Sequence, residues 1–433
     1  MSTSSSLKGP LIGVAAVGGI FALLLGTGVV SFGDEAPAPS AEKASKDDAP
    51  TKTRRGRRKG KRTRDDAVKQ LSSMGYVDGT VDEDLDQSGV IINFEGETHP
   101  GLNFYSSRKQ ARAQLVDMKG NVVHEWSRPG MGGWQHVSLM PDGSVIGLVK
   151  DKKMFKVDKD SNLVWTFEDR VHHDLDIGPD GNIWVLARTK REMPKYHSEY
   201  LTTEDFVVEV SPDGVELRRI SVLAMFEQSP HAVLLNHGDS LTALKVSRAN
   251  PHRKKNEFDI LHTNHVEVFD GSLADVNPIF AKGNLLLSPR NAHTIVVANP
   301  ETEEIVWAWG SSKLMFQHHP TVTEDGTILV FNNGEERTGS QIVELDPTTG
   351  DIVWTYGPTE DFFSHQRGSN LRLPNGNTLI TESDTGYVFE VTRAGRVVWE
   401  FRNPHIKKKK QLRMAIWRMY RFDPSELTFD YGS

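Results

Sequence analysis

Residues 316–334 read FQHHPTVTEDGTILVFNNG, which has the layout of a β-hairpin preceded by two histidines. The turn dipeptide Asp325-Gly326 separates two runs rich in Thr, Val, Ile and Leu, which is the composition of hairpin strands. The same layout occurs in further stretches at 134–148, 172–186 and 366–381. The stretch at 316–334 is therefore one copy of a repeated unit.

A second type of hairpin alternates with the first and occurs six times. Each copy has a strand, a turn centred on Gly, Asp or Asn, and a second strand that carries Trp near its end in five of the six copies. The copies lie at 113–126, 153–167, 206–220, 293–309, 340–356 and 386–401. One hairpin of each type makes a four-stranded blade, in which the first type is the inner hairpin and the second type is the outer hairpin. A period of about 40 to 50 residues is typical of propellers. The pattern predicts an all-β, six-bladed β-propeller over 88–404, with 88–112 supplying the inner strands of its first blade.

The region before the repeats divides into an apolar segment and a polar one. Residues 10–32 contain no charged side chain and are long enough to cross a bilayer, which takes about 20 residues. They favour an uncleaved transmembrane helix behind a short tail (1–9) over a cleaved signal peptide, whose apolar core has about 7 to 15 residues. Residues 33–87 predict a disordered basic linker, with nine Lys or Arg between 52 and 64. A solvated linker is favoured there over binding to anionic lipid or another polyanion.

Two other segments interrupt or follow the repeats. Residues 221–261 form an irregular insertion, either a functional lid or an inner hairpin that the sequence does not make recognisable. Residues 405–433 begin with a run of Lys and predict a basic amphipathic helix from about 410 to 422, followed by a tail. Packing of this helix against the propeller is favoured over contact with a membrane surface.

The composition excludes several classes of site. The chain of 433 residues has no cysteine, which excludes disulfides, thiolate metal sites and a cysteine nucleophile. It has no HExxH motif, so a zinc site built from its histidines is the less favoured interpretation. It also has no Gly-x-Ser-x-Gly motif of the kind that serine hydrolases use.

Histidines recur at one position of the inner hairpins. His173 and His318 each lie seven residues before the Asp of a hairpin turn. Because inner strands line the central channel of a propeller, equivalent positions on different blades face one shared space. The same end of the fourth and last blades carries further polar groups, namely His262, Asn264, Arg290 and Arg367. We expect these side chains to converge on one cavity.

Imidazoles, an amide and a guanidinium are donors that suit an oxyanion. A neutral imidazole, available near its ordinary pKa of about 6.5, can attack the sulfur or phosphorus of an ester and hold the transferred group covalently. Fixed donors such as Arg290 and Asn264 would stabilise the charge on the oxygens of that group. The residues alone therefore favour group transfer through a histidine.

These motifs resemble those of the PAPS-independent aryl-sulfate sulfotransferases, which are six-bladed propellers of the bacterial cell envelope. The resemblance covers roughly residues 88–420. It rests on HHD at 172–174, HTN at 262–264, SPR at 288–290, and QH at 317–318 before FNNG at 331–334. Asn332 stands where the family usually has Asp, and Pro289 precedes the arginine, which is typical of a divergent branch.

The resemblance implies a role for each site residue. His318 would be the nucleophile that accepts a sulfuryl group from an aryl sulfate and passes it to a phenol, with His319 as the alternative. Between the two, only His318 keeps the seven-residue spacing to the turn. The other catalytic groups would be His173, His262, Asn264 and Arg290. The groups predicted to contact substrate are Arg367, His319 and His172.

The resemblance also implies the surroundings of the reaction. It requires no cofactor and no metal, and its partners are small-molecule aryl sulfates and phenols rather than nucleic acid. The propeller would lie on the extracytoplasmic (periplasmic) side of a membrane, held by the single-pass N-terminal helix.

Two other functions are open on the sequence alone. In the first, the propeller is non-catalytic and binds an anionic ligand or a partner at the cell envelope. In the second, it is a quinoprotein-like oxidoreductase, because LDPTTGDIVW at 345–354 imitates the tryptophan repeat of that class. Six blades are few for that class, and only one repeat carries the imitation.

Overall fold

The structure is a computed structural model. It describes residues 79–81, 85–235, 257–335, 337–359 and 362–432. The predicted anchor at 10–32, its preceding tail and the basic run at 52–64 lie outside the described residues. Within the described ranges, the helices are too short or too polar to span a membrane.

Four-stranded antiparallel sheets form the blades, and the chain supplies most of them in order. Strands β1 (Gly79–Val81) and β2 (Gly89–Asn93) come first. The first blade contains β3 (Leu102–Ser107), β4 (Arg112–Val116) and β5 (Val122–Ser127). The second contains β6 (Val137–Leu139), β7 (Val145–Val149), β8 (Lys153–Val157) and β9 (Leu163–Glu168). The third contains β10 (Val171–Ile177), β11 (Ile183–Met193), β12 (His197–Val210) and β13 (Glu216–Ser221).

Helix α1 (Val222–Gln228) and strand β14 (Glu257–Asp259) separate the third blade from the fourth. The fourth blade contains β15 (Thr263–Val268), β16 (Leu285–Pro289), β17 (Ile295–Asn299) and β18 (Glu304–Trp309). The fifth contains β19 (His318–Val322), β20 (Ile328–Asn332), β21 (Gln341–Leu345) and β22 (Ile352–Tyr356). The sixth contains β23 (Ser369–Arg372), β24 (Thr378–Glu382), β25 (Tyr387–Val391) and β26 (Val397–Arg402). The chain ends with β27 (Ile406–Lys407), β28 (Leu412–Met414) and β29 (Ile416–Phe422).

Apolar side chains fill the spaces between neighbouring blades. Separate hydrophobic clusters occupy the six interfaces, and each draws its residues from two adjacent blades. Strands β7, β16 and β24, the second strands of their blades, are buried along their whole length because a blade has a neighbour on both faces. The outermost strands β9 and β22 are largely exposed or half-buried. The six-bladed propeller predicted from the two kinds of hairpin is confirmed.

The repeated tryptophans join each blade to the next. In five blades, the indole N–H of the outer-strand Trp donates a hydrogen bond to a backbone carbonyl in a turn of the following blade. These bonds run from Trp126 to Gly143, Trp165 to Pro212, Trp307 to Pro347, Trp354 to Arg393 and Trp399 to Met118, at 2.9–3.2 Å. In the third blade Leu217 replaces the Trp, and the neighbouring Arg218 donates to the carbonyl of Pro300 at 3.4 Å instead.

The C-terminal segment closes the ring. β29 pairs with β3 as the innermost strand of the first blade, so this sheet combines strands that are more than 300 residues apart in the sequence. The amphipathic helix predicted over 410–422 is therefore wrong. The sequence pattern puts Arg418 and Arg421 on the polar face of a helix. Both are instead largely buried, Arg418 in an ion pair with Asp174 and Arg421 in an ion pair with Glu390. A basic residue paired inside the protein cannot be told from a solvated one by periodicity alone.

The N-terminal strands also differ from the prediction. β2 lies outside the first blade and pairs with β26 as an extra outer strand of the sixth. β1, within the segment predicted as linker, pairs with β28 in a small sheet that includes β27. Of the region 88–112, only β3 enters the first blade as a complete strand. It is the second strand from the axis, because β29 occupies the innermost place.

The insertion at 221–261 is not an inner hairpin, because β15 and β16 form that hairpin later in the chain. It begins with α1, whose N-cap Ser221 accepts a hydrogen bond from the backbone N–H of Ala224 at 3.1 Å. The apolar side of α1 packs into the cluster between the third and fourth blades. β14 then pairs in parallel with β12. Residues 236–256 lie outside the described residues.

The buried ion pair between Arg421 and Glu390 yields a test of ring closure. Both side chains are inaccessible to solvent. We expect Arg421→Ala to lower the free energy of unfolding by about 3–5 kcal/mol, because it leaves the Glu390 charge buried without its partner. Equilibrium unfolding in urea measures this. The matched control is Arg112→Ala in the same blade, whose ion pair with Glu125 is more than one third exposed on each side and should contribute at most about 1 kcal/mol. Equal losses for the two variants would contradict the role of β29.

Candidate functional site

The innermost strands place side chains in layers along the propeller axis. In each blade the innermost strand pairs with the second strand in a defined register. This register assigns one residue of each innermost strand to each layer. The layer nearer the starts of the inner strands, here called the site layer, consists of Gln135, His173, Asn264, His318, Gly368 and Trp417. The next layer, called the axial layer, consists of His136, Asp174, His265, His319, Ser369 and Arg418. His173 and His318 thus lie at one level, as their spacing from the turn predicts.

Three histidines near these layers have left-handed backbone. φ is +58° at His173, +50° at His262 and +43° at His319, and the inner strands carry register shifts at or next to these residues. A non-glycine residue in this region costs roughly 1 kcal/mol or more, and bulges re-aim side chains near functional sites. The strain is therefore concentrated where the imidazoles meet.

His318 has a defined tautomer. Its Nδ1 lies 2.9 Å from the carbonyl oxygen of Phe316 and 2.7 Å from Oδ1 of Asn333. Both partners are acceptors, so Nδ1 must carry the proton. Nε2 then has a lone pair, and this buried atom has no hydrogen-bond partner among the described residues. The arrangement leaves an unprotonated nitrogen as the reactive atom of the ring.

The orientation of Asn333 is itself fixed. Its Nδ2 donates to the carbonyl oxygens of Ser364 at 2.7 Å and Arg367 at 2.9 Å. Because both N–H groups are used there, Oδ1 has to face His318. Asn333 is fully buried, and so this amide holds the imidazole without competition from water. Burial keeps the pKa of His318 well below its usual value, and the nearby charge of Arg290 lowers it further.

Arg290 follows β16 and faces the same space. The centre of its guanidinium lies 4.4 Å from the centroid of the Phe316 ring, a cation–π contact, and its Nη1 donates to Oδ1 of Asn291 at 3.0 Å. The aromatic face and the amide hold the cation in place beside His318. A negatively charged group at Nε2 of His318 would therefore lie in the field of Arg290.

Asn264 supports the backbone that precedes His318. Its Nδ2 donates to the carbonyl oxygen of Gln317 at 2.8 Å, and the Gln317 side chain donates in turn to the carbonyl of Thr294 at 2.7 Å. One N–H of the Asn264 amide is thus used for positioning, and one is left to donate to an anion. Asn264 is 5% exposed, which makes it a rigid support.

His173 and His262 form a pair. Their Nε2 atoms lie 3.2 Å apart, and Nδ1 of His262 lies 2.5 Å from Oδ2 of Asp259. Burial and the neighbouring His262 hold the pKa of His173 well below its usual value. Asp259 comes from β14, the strand added by the insertion, and so the insertion contributes directly to the site.

Gly368, Arg367 and Trp417 complete the other side of the site layer. A Cβ at Gly368 would lie 2.5 Å from the ring of Phe331, so this position in the ring of six carries no side chain. The guanidinium of Arg367 lies 4.7 Å from the centroid of the Trp417 ring and forms an ion pair with Asp384. Arg367 is therefore close to the site with its charge partly compensated.

The axial layer fills the channel beneath the site. Asp174 is buried at 2.6 Å from Nδ1 of His265 and 3.0 Å from a guanidinium nitrogen of Arg418. Burial would raise the pKa of Asp174, but Arg418 and the histidines hold it well below its usual value. The same carboxylate raises the pKa of His265 against the effect of burial. Burial lowers the pKa of His136 to about 3, although Asp174 opposes this.

His319 and His172 each have close contacts of their own. His319 belongs to the axial layer, where its ring meets that of His265 and its Nδ1 accepts a hydrogen bond from the backbone of Asn370 at 3.3 Å. Burial, together with the charge of Arg418, keeps its pKa well below the usual value. His172 is buried 3.5 Å from Asp205. The structure thus brings His173, His262, Asn264, Arg290 and His318 together. His172 adjoins them through the ring of His173, with ring centroids 5.0 Å apart, and His319 lies in the axial layer.

Comparison of the sequence with protein families decides the relationship. Residues 113–404, more than half of the chain, match the sequence model described as Arylsulfotransferase (ASST). The chain belongs to the arylsulfotransferase family. The resemblance predicted from its motifs is confirmed. No match was found among curated proteins.

Two solved structures align with about three quarters of this chain. A protein of unknown function from Bacteroides caccae is 14% identical, with a TM-score of 0.47, and the alignment covers 74% of this chain and 98% of that one. A catalytically inactive virginiamycin B lyase from Staphylococcus aureus, solved with quinupristin, is 13% identical, with a TM-score of 0.42 and coverages of 76% and 88%. With these identities and TM-scores, neither structure carries an argument about this chain.

Some residues of the candidate site are not predicted by the sequence. Asp259 and Asp384 give carboxylate partners to His262 and Arg367, where the sequence indicated no carboxylate. Asp384 comes after β24, and nothing in its local sequence points toward the axis. Trp417 was placed in a helix. Asn333 lies in the FNNG motif, so its position was visible, but its hydrogen bond to His318 was not.

The tautomer of His318 can be tested by measuring how the pKa of its ring changes when a charge is placed beside Nδ1. We expect the wild-type ring to stay neutral as the pH falls through 6.5, the ordinary histidine value, because burial and Arg290 disfavour the imidazolium. Asn333→Asp places a carboxylate beside Nδ1, which stabilises the charged ring and should raise its pKa. A ¹⁵N NMR titration of labelled histidine measures both.

Asn370→Asp is the matched control, because Asn370 contacts the neighbouring His319 rather than His318. It should move the His318 titration far less than Asn333→Asp does. A wild-type His318 that titrates near 6.5, or that carries its proton on Nε2, would show the assigned tautomer to be wrong.

Proposed function

We propose that the protein transfers a sulfuryl group from an aryl sulfate ester to a phenolic acceptor through a covalent sulfohistidine at His318. The observation that carries this proposal is the lone pair on Nε2 of His318, buried and unpartnered while both acceptors hold the proton on Nδ1. Membership of the arylsulfotransferase family supports the substrate class.

The first half of the reaction breaks the ester. The Nε2 lone pair forms a bond to sulfur while the bond from sulfur to the aryl oxygen breaks, and that electron pair leaves on the phenolate. The imidazole then bears a positive charge. Its Nδ1 proton keeps donating to Asn333 and to the carbonyl of Phe316, which stabilises that charge.

The second half reverses these events with a phenol as the nucleophile. The phenol gives up its proton as its oxygen forms a bond to sulfur, and that proton balances the phenolate released in the first half. The bond from sulfur to nitrogen breaks, and its electron pair returns to Nε2. In both halves the sulfuryl oxygens carry the charge, and Arg290, held on Phe316, is placed to stabilise it. Asn264 keeps the backbone of His318 in register during both.

The proposal includes the cellular setting expected from the sequence. The uncharged run at 10–32 would anchor the chain in a membrane, with the propeller on the extracytoplasmic side. Its support is the length of that run and the resemblance to envelope enzymes. The partners would be small aryl sulfates and phenols. Arg367, close to the site beside Trp417, would contact the bound substrate.

His318→Ala should abolish transfer of sulfate from 4-nitrophenyl sulfate to phenol, with a fall in turnover of at least about 10⁴-fold, the scale for loss of a catalytic nucleophile. Release of 4-nitrophenol and formation of phenyl sulfate measure the rate. His124→Ala, on the outer strand β5, is the control for a histidine remote from the channel and should retain activity. Activity that survives His318→Ala but is lost in His319→Ala would move the nucleophile to His319.

Arg290→Met should lower kcat by about 10²- to 10³-fold, the loss usually seen when one stabilising donor is removed from an oxyanion site. Met is an unbranched apolar side chain that can occupy the space over Phe316 without the charge, so the fold should be unaffected. Steady-state kinetics with 4-nitrophenyl sulfate measure the effect, and thermal unfolding checks the fold. A rise in KM with unchanged kcat would mean that Arg290 binds the ester without assisting its cleavage.

A further inference from the structure

Asp259, His262 and His173 form one continuous chain of hydrogen-bonding groups. Oδ2 of Asp259 lies 2.5 Å from Nδ1 of His262, and Nε2 of His262 lies 3.2 Å from Nε2 of His173. Three groups from two blades and the insertion are thus joined atom to atom. A chain of this kind can move a proton along its length without moving a side chain.

The chemistry of the groups fixes where the protons are. An ionised carboxylate only accepts, so Nδ1 of His262 carries a proton toward Asp259. The two Nε2 atoms share one proton between them, because two lone pairs or two N–H groups facing each other would repel. Nδ1 of His173 forms no hydrogen bond to a described residue. The chain therefore ends in the site layer, on the ring that shares its level with His318.

Several charged groups face this chain. Arg188 is held by two hydrogen bonds from its guanidinium to Asp151, at 2.8 and 2.7 Å, and its charge acts on Asp259. Asp205 accepts a hydrogen bond from the backbone N–H of Thr263 at 2.7 Å. The remaining titratable neighbours are His172, Lys150 and His318.

These neighbours keep Asp259 ionised. Burial alone would raise its pKa, but His262 and Arg188 hold it below the usual value. Burial and the charge of Asp259 raise the pKa of the adjacent Asp205 to about 7. Of the two carboxyl groups, Asp259 is therefore the ionised one that accepts the hydrogen bond from His262.

We propose that Asp259 is a positioning residue that keeps His262 in its proton-carrying form, so that His262 and His173 together deliver a proton to the phenolate released from the donor. This inference rests on the proposed sulfuryl transfer through His318. His173 is the catalytic residue of the relay, because it is the member that reaches the reacting oxygen. Asp259 acts only through His262.

Cleavage of the ester moves two protons, one from His173 to the phenolate and one from His262 to His173. At the start, His262 carries protons on both nitrogens, and His173 carries one on Nδ1 while its Nε2 accepts from His262. As the bond from sulfur to oxygen breaks, Nδ1 of His173 gives its proton to the phenolate oxygen. Nε2 of His173 takes the shared proton from His262, which becomes neutral and keeps its Nδ1 proton on Asp259. Transfer to an acceptor phenol runs the same steps backward and restores the start.

The relay matters in proportion to the basicity of the leaving oxygen. A 4-nitrophenolate is a stable anion and leaves without help, whereas an unsubstituted phenolate is far more basic and requires a proton in the transition state. Loss of the relay should therefore slow the two donors unequally. A structural defect that displaces His318 or Arg290 would slow both alike.

The test uses the full-length protein and its first half-reaction, with phenyl sulfate and 4-nitrophenyl sulfate as donors and no acceptor. Release of the phenol in a single turnover gives the rate. Asp259→Asn should slow phenyl sulfate by about 10²-fold or more, the usual contribution of general acid catalysis, and 4-nitrophenyl sulfate by less than about 10-fold. Asp259→Glu, which keeps the carboxylate, should recover part of the loss with phenyl sulfate.

Asn291→Ala is the matched control. Its Nδ2 donates to the backbone carbonyl of Asp259 at 2.8 Å and its Oδ1 accepts from Arg290, so it touches the same segment without touching the carboxylate. It should slow both donors by the same factor. Equal losses with the two donors in Asp259→Asn would overturn the relay.

A separate measurement distinguishes failure of the relay from failure of the proposed sulfuryl transfer. Wild-type protein given either donor should show a sulfuryl group on His318 by mass spectrometry of its peptides. If the group is present and Asp259→Asn slows both donors equally, the relay alone is wrong. If the wild type acquires no sulfuryl group, the proposed function fails, and the relay fails with it.

Discussion

The pairing of β29 with β3 is the constraint on which the rest of the structure depends. It closes the ring between the first and sixth blades, and it carries Trp417 and Arg418 to the axis. Arg418 then reaches Asp174, a fully buried carboxylate of the third blade. Without this strand the axial layer would lack its main cation, and the buried charge of Asp174 would lose a partner.

The two layers on the axis differ in charge: the axial layer contains paired ions, and the site layer contains a neutral imidazole. The axial layer holds a compensated ion cluster built on Asp174, Arg418 and His265. Above it, His318 is kept neutral by burial and by Arg290, with its tautomer set by Asn333. A neutral imidazole beside a fixed guanidinium is suited to attack an anionic ester, because the lone pair is available and the charge of the ester is attracted.

The sequence predicted the blades and the convergence of several polar side chains near the axis, and the reasons differ between elements. Hairpin repeats report local periodicity, and their tryptophans recur because each indole bonds to the next blade. The sequence placed His173 and His318 at equivalent positions because each lies seven residues before a hairpin turn, and the turn sets the register of the strands on either side of it. Arg418 was missed because its partner Asp174 lies about 240 residues away in the sequence. Asp259 was missed because β14, the strand that carries it, lies in an insertion without a repeat pattern. Long-range ion pairs leave no periodic signal.

The central claim is that Nε2 of His318 is the atom that bonds to sulfur. It is tested most directly by ¹⁵N NMR of histidine-labelled protein incubated with an aryl sulfate in the absence of an acceptor. The account predicts a single modified histidine, His318, with sulfur on Nε2 and the proton retained on Nδ1. Modification at Nδ1 of His318, or at another histidine, would contradict it.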